Sequence, residues 1–173
     1  MTLSNETLRL ENLYKYEILD TPPDGTFDEI TSLASKIFNV PIALISLVDS
    51  DRIWFKSYHG IDVEQISRDP GLCSSAILSD SDDLYMVTEA KIDARTLSNP
   101  LVVGLLGLQF YAAVPLRTKE GYNLGTFCII DKRPRSLNAE ESLMLRQLAR
   151  IVMGQLEVRL KSRILLKEFQ ERK

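Results

Sequence analysis

Residues 41–60, PIALISLVDSDRIWFKSYHG, decide the fold class. The run PIALISLVD is rich in β-branched residues, stops at Asp49-Ser50-Asp51, and gives way to the aromatic stretch RIWFKSYHG. Two such runs around a short polar turn predict a β-hairpin. Strand alternation puts Trp54 and Phe55 on opposite faces. A second pair, FYAAVPLRT (110–118) and YNLGTFCIID (122–131), flanks Lys119-Glu120-Gly121. Adjacent strands joined by tight turns form a mainly antiparallel sheet, with the remaining apolar helices packed against it.

Working outward, Leu10, Leu13 and Tyr14 recur at helical spacing in an N-terminal helix expected over 4–19. Thr21-Pro22-Pro23-Asp24-Gly25 breaks the chain. Thr26 and Glu29 read as a capping box, opening a helix whose stripe is Phe27, Ile30, Ala34, Ile37 and Phe38. Residues 69–80 predict a short helix, LYMV a brief strand, and KIDARTLSNPL (91–101) a loop with a helical turn. Asn138 with Glu141 is a second capping-box match, starting a helix over 138–172. The expected fold is α+β: one domain over 1–173, its core at about 26–137 between the two terminal helices.

The last helix would run about 50 Å at 1.5 Å per residue, against about 40 Å for a globule of this length. It should therefore overhang. Met144, Ile151, Val158 and Leu165 fall seven apart, interleaved with Leu148, Gln155, Ser162 and Phe169. This half-apolar heptad seam predicts a dimerising connector, with Met144, Leu148, Ile151, Val158 and Leu165 as its contacts. Glu171-Arg172-Lys173 carries no helix-terminating signal, as a fragment boundary would leave it.

Composition narrows the partners. The 173 residues are 45% hydrophobic and 26% charged, enough for a core, with net charge −3. No Lys/Arg block points to nucleic acid or an anionic membrane. The apolar run Val40–Val48 is about half of the roughly 20 residues a bilayer span needs. The N-terminus lacks the pattern of a secretory signal. Cys73 and Cys128 form no CxxC, so a reducing, cytoplasmic setting is expected.

Five segments in order carry a family resemblance: ILDTPPDGTFDEITSLASKIFNVPIALISLVDSDRIWFKSYHGID, SRDPGLCSSAIL, DARTLSNPLV, FYAAVPLRTKEGYNLGTFCIID and PRSLNAEESLMLRQLARIV. Together they resemble a GAF domain over roughly residues 8–160, of the subgroup in bacterial histidine kinases, diguanylate cyclases and related sensors. The resemblance implies a six-stranded antiparallel sheet, helices on both faces, and a pocket closed by segments between the central strands. It also implies binding of cyclic nucleotides, tetrapyrroles, haem or other small molecules in some members. This chain departs from the subgroup at two rim positions. Leu72-Cys-Ser-Ser-Ala-Ile77 stands where Phe-Cys-Ala-His-Ala-Ile is usual, and Gln109 precedes Phe110-Tyr111 in place of an arginine.

Each chemical possibility has a plainer competitor. His59, the single histidine, reads as a hairpin residue rather than a haem ligand. Ser74 follows Cys73 where a bilin-attaching cysteine is followed by histidine, so bilin and haem are not expected and no cofactor is named. Phe27-Asp28-Glu29 matches the end of the NKFDE motif of cyclic-nucleotide GAF domains but lacks its Asn-Lys. Cys128 reads as core, and two cysteines distant in sequence argue against a sulfoxide reductase. No GxGxxG or Walker loop occurs. Arg68 and Arg95, with Asp69, Asp93 and Asn99, either clamp an anion or brace two loops as Arg68–Asp93 and Asp69–Arg95 pairs. Cys73 and Tyr111 complete the candidate ligand-binding set, Tyr111 standing equally for pocket lining and plain packing.

The expected function is a non-enzymatic sensory or regulatory module of a two-component or related system. It would bind a small molecule, dimerise, and signal through its last helix to an output domain such as a histidine kinase or diguanylate cyclase. The alternatives are a small redox enzyme using Cys73 and a ligand-free dimerisation unit.

Overall fold

The computed structural model describes residues 3–79 and 83–172, with the side chains of residues 3 and 4 left aside. The elements run α1 (Leu3–Lys15), α2 (Gly25–Phe38), β1 (Ile42–Val48), β2 (Arg52–His59), β3 (Gln65–Ser67), α3 (Leu72–Ala76), β4 (Tyr85–Val87), α4 (Pro100–Val103), β5 (Phe110–Arg117), β6 (Asn123–Asp131) and α5 (Ala139–Glu171). They form one six-stranded sheet in the order β3-β2-β1-β6-β5-β4, every neighbouring pair antiparallel. The expected α+β, GAF-like architecture is present.

Both faces of the sheet are covered. Ala43, Ile45, Phe110, Ala112, Phe127 and Ile129 pack with Phe27 and Ala34 of α2 and with Leu145, Val152 and Leu156 of α5. On the opposite face Leu44, Phe55, Tyr111, Ala113, Cys128 and Ile130 pack with Leu72, Cys73 and Ala76 of α3 and with Val102 of α4. Trp54 and Phe55 fall on opposite faces, as alternation requires. The N-terminal helix and the turn after it are part of the core: Leu13, Tyr16 and Ile18 are buried in the α2/α5 layer.

Local boundaries follow side-chain capping. Asn138 and Glu141 form the expected capping box at α5. At α2 the cap is Asp24, accepting from the Thr26 amide, rather than Thr26 with Glu29. A carboxylate two residues earlier satisfies a free amide of the first turn, so the helix starts at Gly25. The α2 stripe is shifted too: Thr31 is buried while Ile37 is 43% exposed. Helix α1 ends at Lys15 rather than 19, where Glu17 and Asp20 adopt positive φ. Lys56 then fastens the Pro-Pro turn, donating to Thr21 Oγ1 at 2.9 Å and to the Pro22 carbonyl at 2.7 Å. Strand β3 was missed in the sequence, being three residues with one apolar position. Asp80, the last residue of the expected 69–80 helix, lies outside the described residues, and α3 is confined to five residues.

Buried Arg9 locks α1 to the sheet. Its guanidinium donates to the carbonyls of Val48 at 2.8 Å and Asn123 at 3.3 Å, and to both Glu6 carboxylate oxygens at 2.9 Å. Glu6 also accepts from Arg68 at 2.6 Å. Partial burial opposes the Glu6 charge, but Arg9 and Arg68 outweigh it and hold the carboxyl at about 2.

At the centre of the sheet, Gly125 sits against β1. A Cβ there would lie 1.9 Å from the Ser46 carbonyl oxygen and 2.7 Å from Leu47 Cα, both backbone atoms that cannot step aside. Gly125→Val should therefore cost stability at the upper end of the roughly 1–3 kcal/mol typical of overpacking. Urea unfolding of the two proteins checks this, and an unchanged midpoint counts against it.

Candidate functional site

Helix α3 is short because both its ends are tied. The Ser74 hydroxyl donates to the carbonyls of Arg68 at 2.9 Å and Gly71 at 2.8 Å. Beyond its end, Asn123 Nδ2 donates to the carbonyls of Ile77 at 3.3 Å and Ser79 at 2.9 Å. So held, α3 separates two depressions and contributes Leu72 to each.

Under α3, against the sheet, lies a cavity of about 210 Å³. Leu44, Phe55 and Ile130 form its floor, Leu72 and Leu101 its roof, and Cys73 and Tyr111 supply its polar atoms. On the outer side lies a polar cleft of about 470 Å³, lined by Arg68, Asp69, Ser75, Arg95 and Asn99 among others. The candidate set is thus divided: Cys73 and Tyr111 share the cavity, while Arg68, Asp69, Arg95 and Asn99 converge on the cleft.

The expected bracing pairs do not form. Arg68 bonds Glu6 and the Asp49 carbonyl, at 2.6 and 2.9 Å. Arg95 pairs with Asp93 at 2.8 Å, stacks over Tyr85 at 4.8 Å, and donates to the Met86 carbonyl. Each arginine is satisfied elsewhere, Arg68 by α1 and Arg95 by its own loop, which removes the need for a cross-loop partner. The Asp93 carboxyl is held low by its hydrogen bond from the Arg95 side chain. Asn99 caps α4 by accepting from the Leu101 amide at 2.9 Å.

The cavity's polar corner is more elaborate than the sequence suggested. Cys73 Sγ accepts from Tyr111 Oη at 3.1 Å and from Thr126 Oγ1 at 3.4 Å. Thr126 in turn shares a 2.8 Å hydrogen bond with the Ser46 hydroxyl. Cys128, expected as core, is wholly buried in the same apolar cluster as Cys73. Strand β6 brings Thr126 and Cys128 to one face, and α3 lowers Cys73 onto them. The neighbouring Cys128 thiol, with Ser46, Thr126 and Tyr111, outweighs burial and pulls the Cys73 thiol below its ordinary value. Beside Cys73, and buried, Cys128 is pushed well above its own. Burial, then the charge on the two sulfurs, likewise raises Tyr111. Ser46, Thr126 and Cys128 were not singled out from sequence. The one available signal was a hydroxyl two residues before a cysteine in an otherwise apolar strand.

His59 ends β2 paired with Ala43, away from the residues lining the cavity. Among the described residues no cluster of three or more His, Cys, Asp or Glu could hold a metal ion. No helix among them is long and apolar enough to cross a membrane.

The expected dimer seam is split. Leu148 is buried and Met144 packs against the core, because α5 lies on β5 and β6 along its first half. Ile151, Val158 and Leu165 are 51%, 59% and 64% exposed. Helix α5 continues to Glu171, where Glu17 receives Arg163 and Lys167 beside the overhang.

The GAF domain family model matches residues 22–156. A cyclic di-GMP phosphodiesterase of Pseudomonas aeruginosa is 41% identical over 140 residues, 80% of this chain but 24% of that protein. The chain therefore spans about a quarter of the length of the curated relative it matches. Free methionine-R-sulfoxide reductase from Neisseria meningitidis shares the fold at TM-score 0.65 and 16% identity, covering 94% of this chain and 95% of that one. A GAF domain region of a Geobacter sulfurreducens membrane protein does so at TM-score 0.60 and 21% identity, covering 90% and 97%. These relatives correct the expectation of a non-enzymatic protein: the phosphodiesterase is an enzyme, and the reductase runs chemistry on this fold. With its sheet order, its helical layers and a family match over most of its length, the chain belongs to the GAF domain family of sensory and signalling modules.

Proposed function

We propose that the chain is the input module of a larger cytoplasmic signalling enzyme, binding a small and largely apolar molecule beneath α3. The supporting observation is the cavity itself, a hollow of about 210 Å³ walled by Leu44, Phe55, Leu72, Leu101 and Ile130. Convergent apolar walls with few polar atoms are the usual form of a small-molecule site. A ligand's anionic substituent would reach Arg95 and Asn99 in the neighbouring cleft, with Arg68 and Asp69 beside them and Asp93 holding Arg95 in place. The output would be a cyclic-dinucleotide enzyme like the relative that the chain matches, or a histidine kinase, in cis or in trans. Indole serves as a probe. At about ten times its Kd it should add about 1.4 kcal/mol, raising Tm by roughly 3–6 °C. Leu106→Trp, which fills the cavity from its lining, should abolish the shift. An unshifted wild type, with no retained molecule in native mass spectrometry, rejects the reading.

The overhang of α5 supports pairing of two copies. Ile151, Val158 and Leu165 leave an exposed apolar row, and such a row usually finds a symmetric partner. Exposed Gln155 and Ser162 would weaken the contact and set its register. Replacing Val158 and Leu165 together by Asp should convert a dimer into a folded monomer. Sedimentation equilibrium with circular dichroism tests both halves, and a wild type already monomeric at tens of micromolar removes the connector role.

A second reading, thiol chemistry at Cys73, is favoured by the donors gathered on its sulfur. Iodoacetamide should alkylate Cys73 with a midpoint below the roughly 8.5 of a free thiol, and Cys128→Ser should move that midpoint. Alkylation only after unfolding sinks this reading.

A further inference from the structure

We propose that Cys73 and Cys128 are a reversible oxidation site for a small alkyl hydroperoxide, with Cys73 the attacking sulfur and Cys128 the resolving one. The proposal rests on the thiol reading of Cys73 and adds to it a partner and an oxidant class.

The geometry assigns the roles. Cys73 lines the cavity where a reactant would sit, whereas Cys128, wholly buried on β6, does not. Cys73 Sγ receives the Tyr111 hydroxyl at 3.1 Å and the Thr126 hydroxyl at 3.4 Å, donors that stabilise a thiolate. The thiolate is the form that attacks an O–O bond. Cys128 lies two positions beyond Thr126 on the same face of β6 and is buried in one cluster with Cys73, which brings it beside the atom to be oxidised. The apolar walls favour an organic peroxide over a charged oxidant.

The chemistry balances without a further reactant. Cys73 sulfur takes the distal oxygen, the O–O bond breaks, and the alkoxide leaves as an alcohol bearing the thiol proton. Cys73 is then a sulfenic acid. The Cys128 thiol displaces its oxygen as water, forming the S–S bond. Two electrons pass from the dithiol to the peroxide. An external dithiol reverses the reaction by exchange. The bond would tie α3 to the middle of β6 and draw the cavity roof onto its floor.

The test treats the reduced chain with a few equivalents of tert-butyl hydroperoxide. It blocks remaining thiols with N-ethylmaleimide under denaturation and maps peptides without reductant. The expected product has lost two hydrogens and carries a Cys73–Cys128 cross-link. Cys128→Ser, its fold checked by circular dichroism, should instead gain one oxygen at Cys73, trapped by dimedone. Cys73→Ser should do neither. Sulfenic acid at Cys73 in the wild type with no cross-link overturns the resolving role of Cys128 and leaves the thiol reading standing. Rapid alkylation at Cys73 without peroxide oxidation overturns the oxidant. No reaction of Cys73 with either reagent overturns both the site and the reading beneath it.

Discussion

Strands β1 and β6 stand side by side although Ser46 and Thr126 are 80 residues apart, and their pairing is the constraint from which the other layers follow. Both strands are buried along their whole length, so neither has a solvent face to fall back on. Their contact at Gly125 is backbone on backbone. Each strand then recruits its own hairpin partner, β2 or β5, and each hairpin takes a short edge strand. Helix α2 settles over the β1–β2 side and α5 over β5 and β6. The opposite face receives only short helical segments. The small segments α3 and α4 roof it incompletely, and the incompleteness is the cavity.

Much of this was readable from residues because local signals were strong. Asn138 and Glu141 marked the start of α5, and the turns at 49–51 and 119–121 marked both hairpins. The α2 helix was legible from its stripe, although Asp24 took the cap that Thr26 was expected to provide. What escaped notice depended on distant neighbours. A three-residue edge strand such as β3 has no period to detect. The arginine partners were misjudged because Glu6 comes from a helix 62 residues before Arg68, while Arg95 turned to Asp93 two positions away.

The thiol pair shows the same limit more sharply. A strand buried on both faces reads as continuous apolar sequence, so NLGTFCIID does not declare which side Cys128 takes. Only the register with β1, which sets Cys128 opposite Leu44 and Thr126 opposite Ser46, places it under α3. Two cysteines that look unrelated in the chain thereby fall into one buried cluster. The division of the candidate set by α3 is similarly invisible in sequence, since Arg68 and Cys73 are five residues apart yet serve different hollows.

Strand β6 alternates Thr126 and Cys128 toward α3 with Phe127 and Ile129 toward α5. Consecutive residues of one backbone thus belong to opposite layers, about 3.4 Å apart along the strand. In the input role proposed above, the sheet would act as a diaphragm: a push on one surface would already displace the other, with no intervening relay to tune or lose. Sensitivity in such a device is set by the stiffness of the strand and its two neighbours. Sequence change in the roof can then alter what is sensed without disturbing how the deflection is delivered.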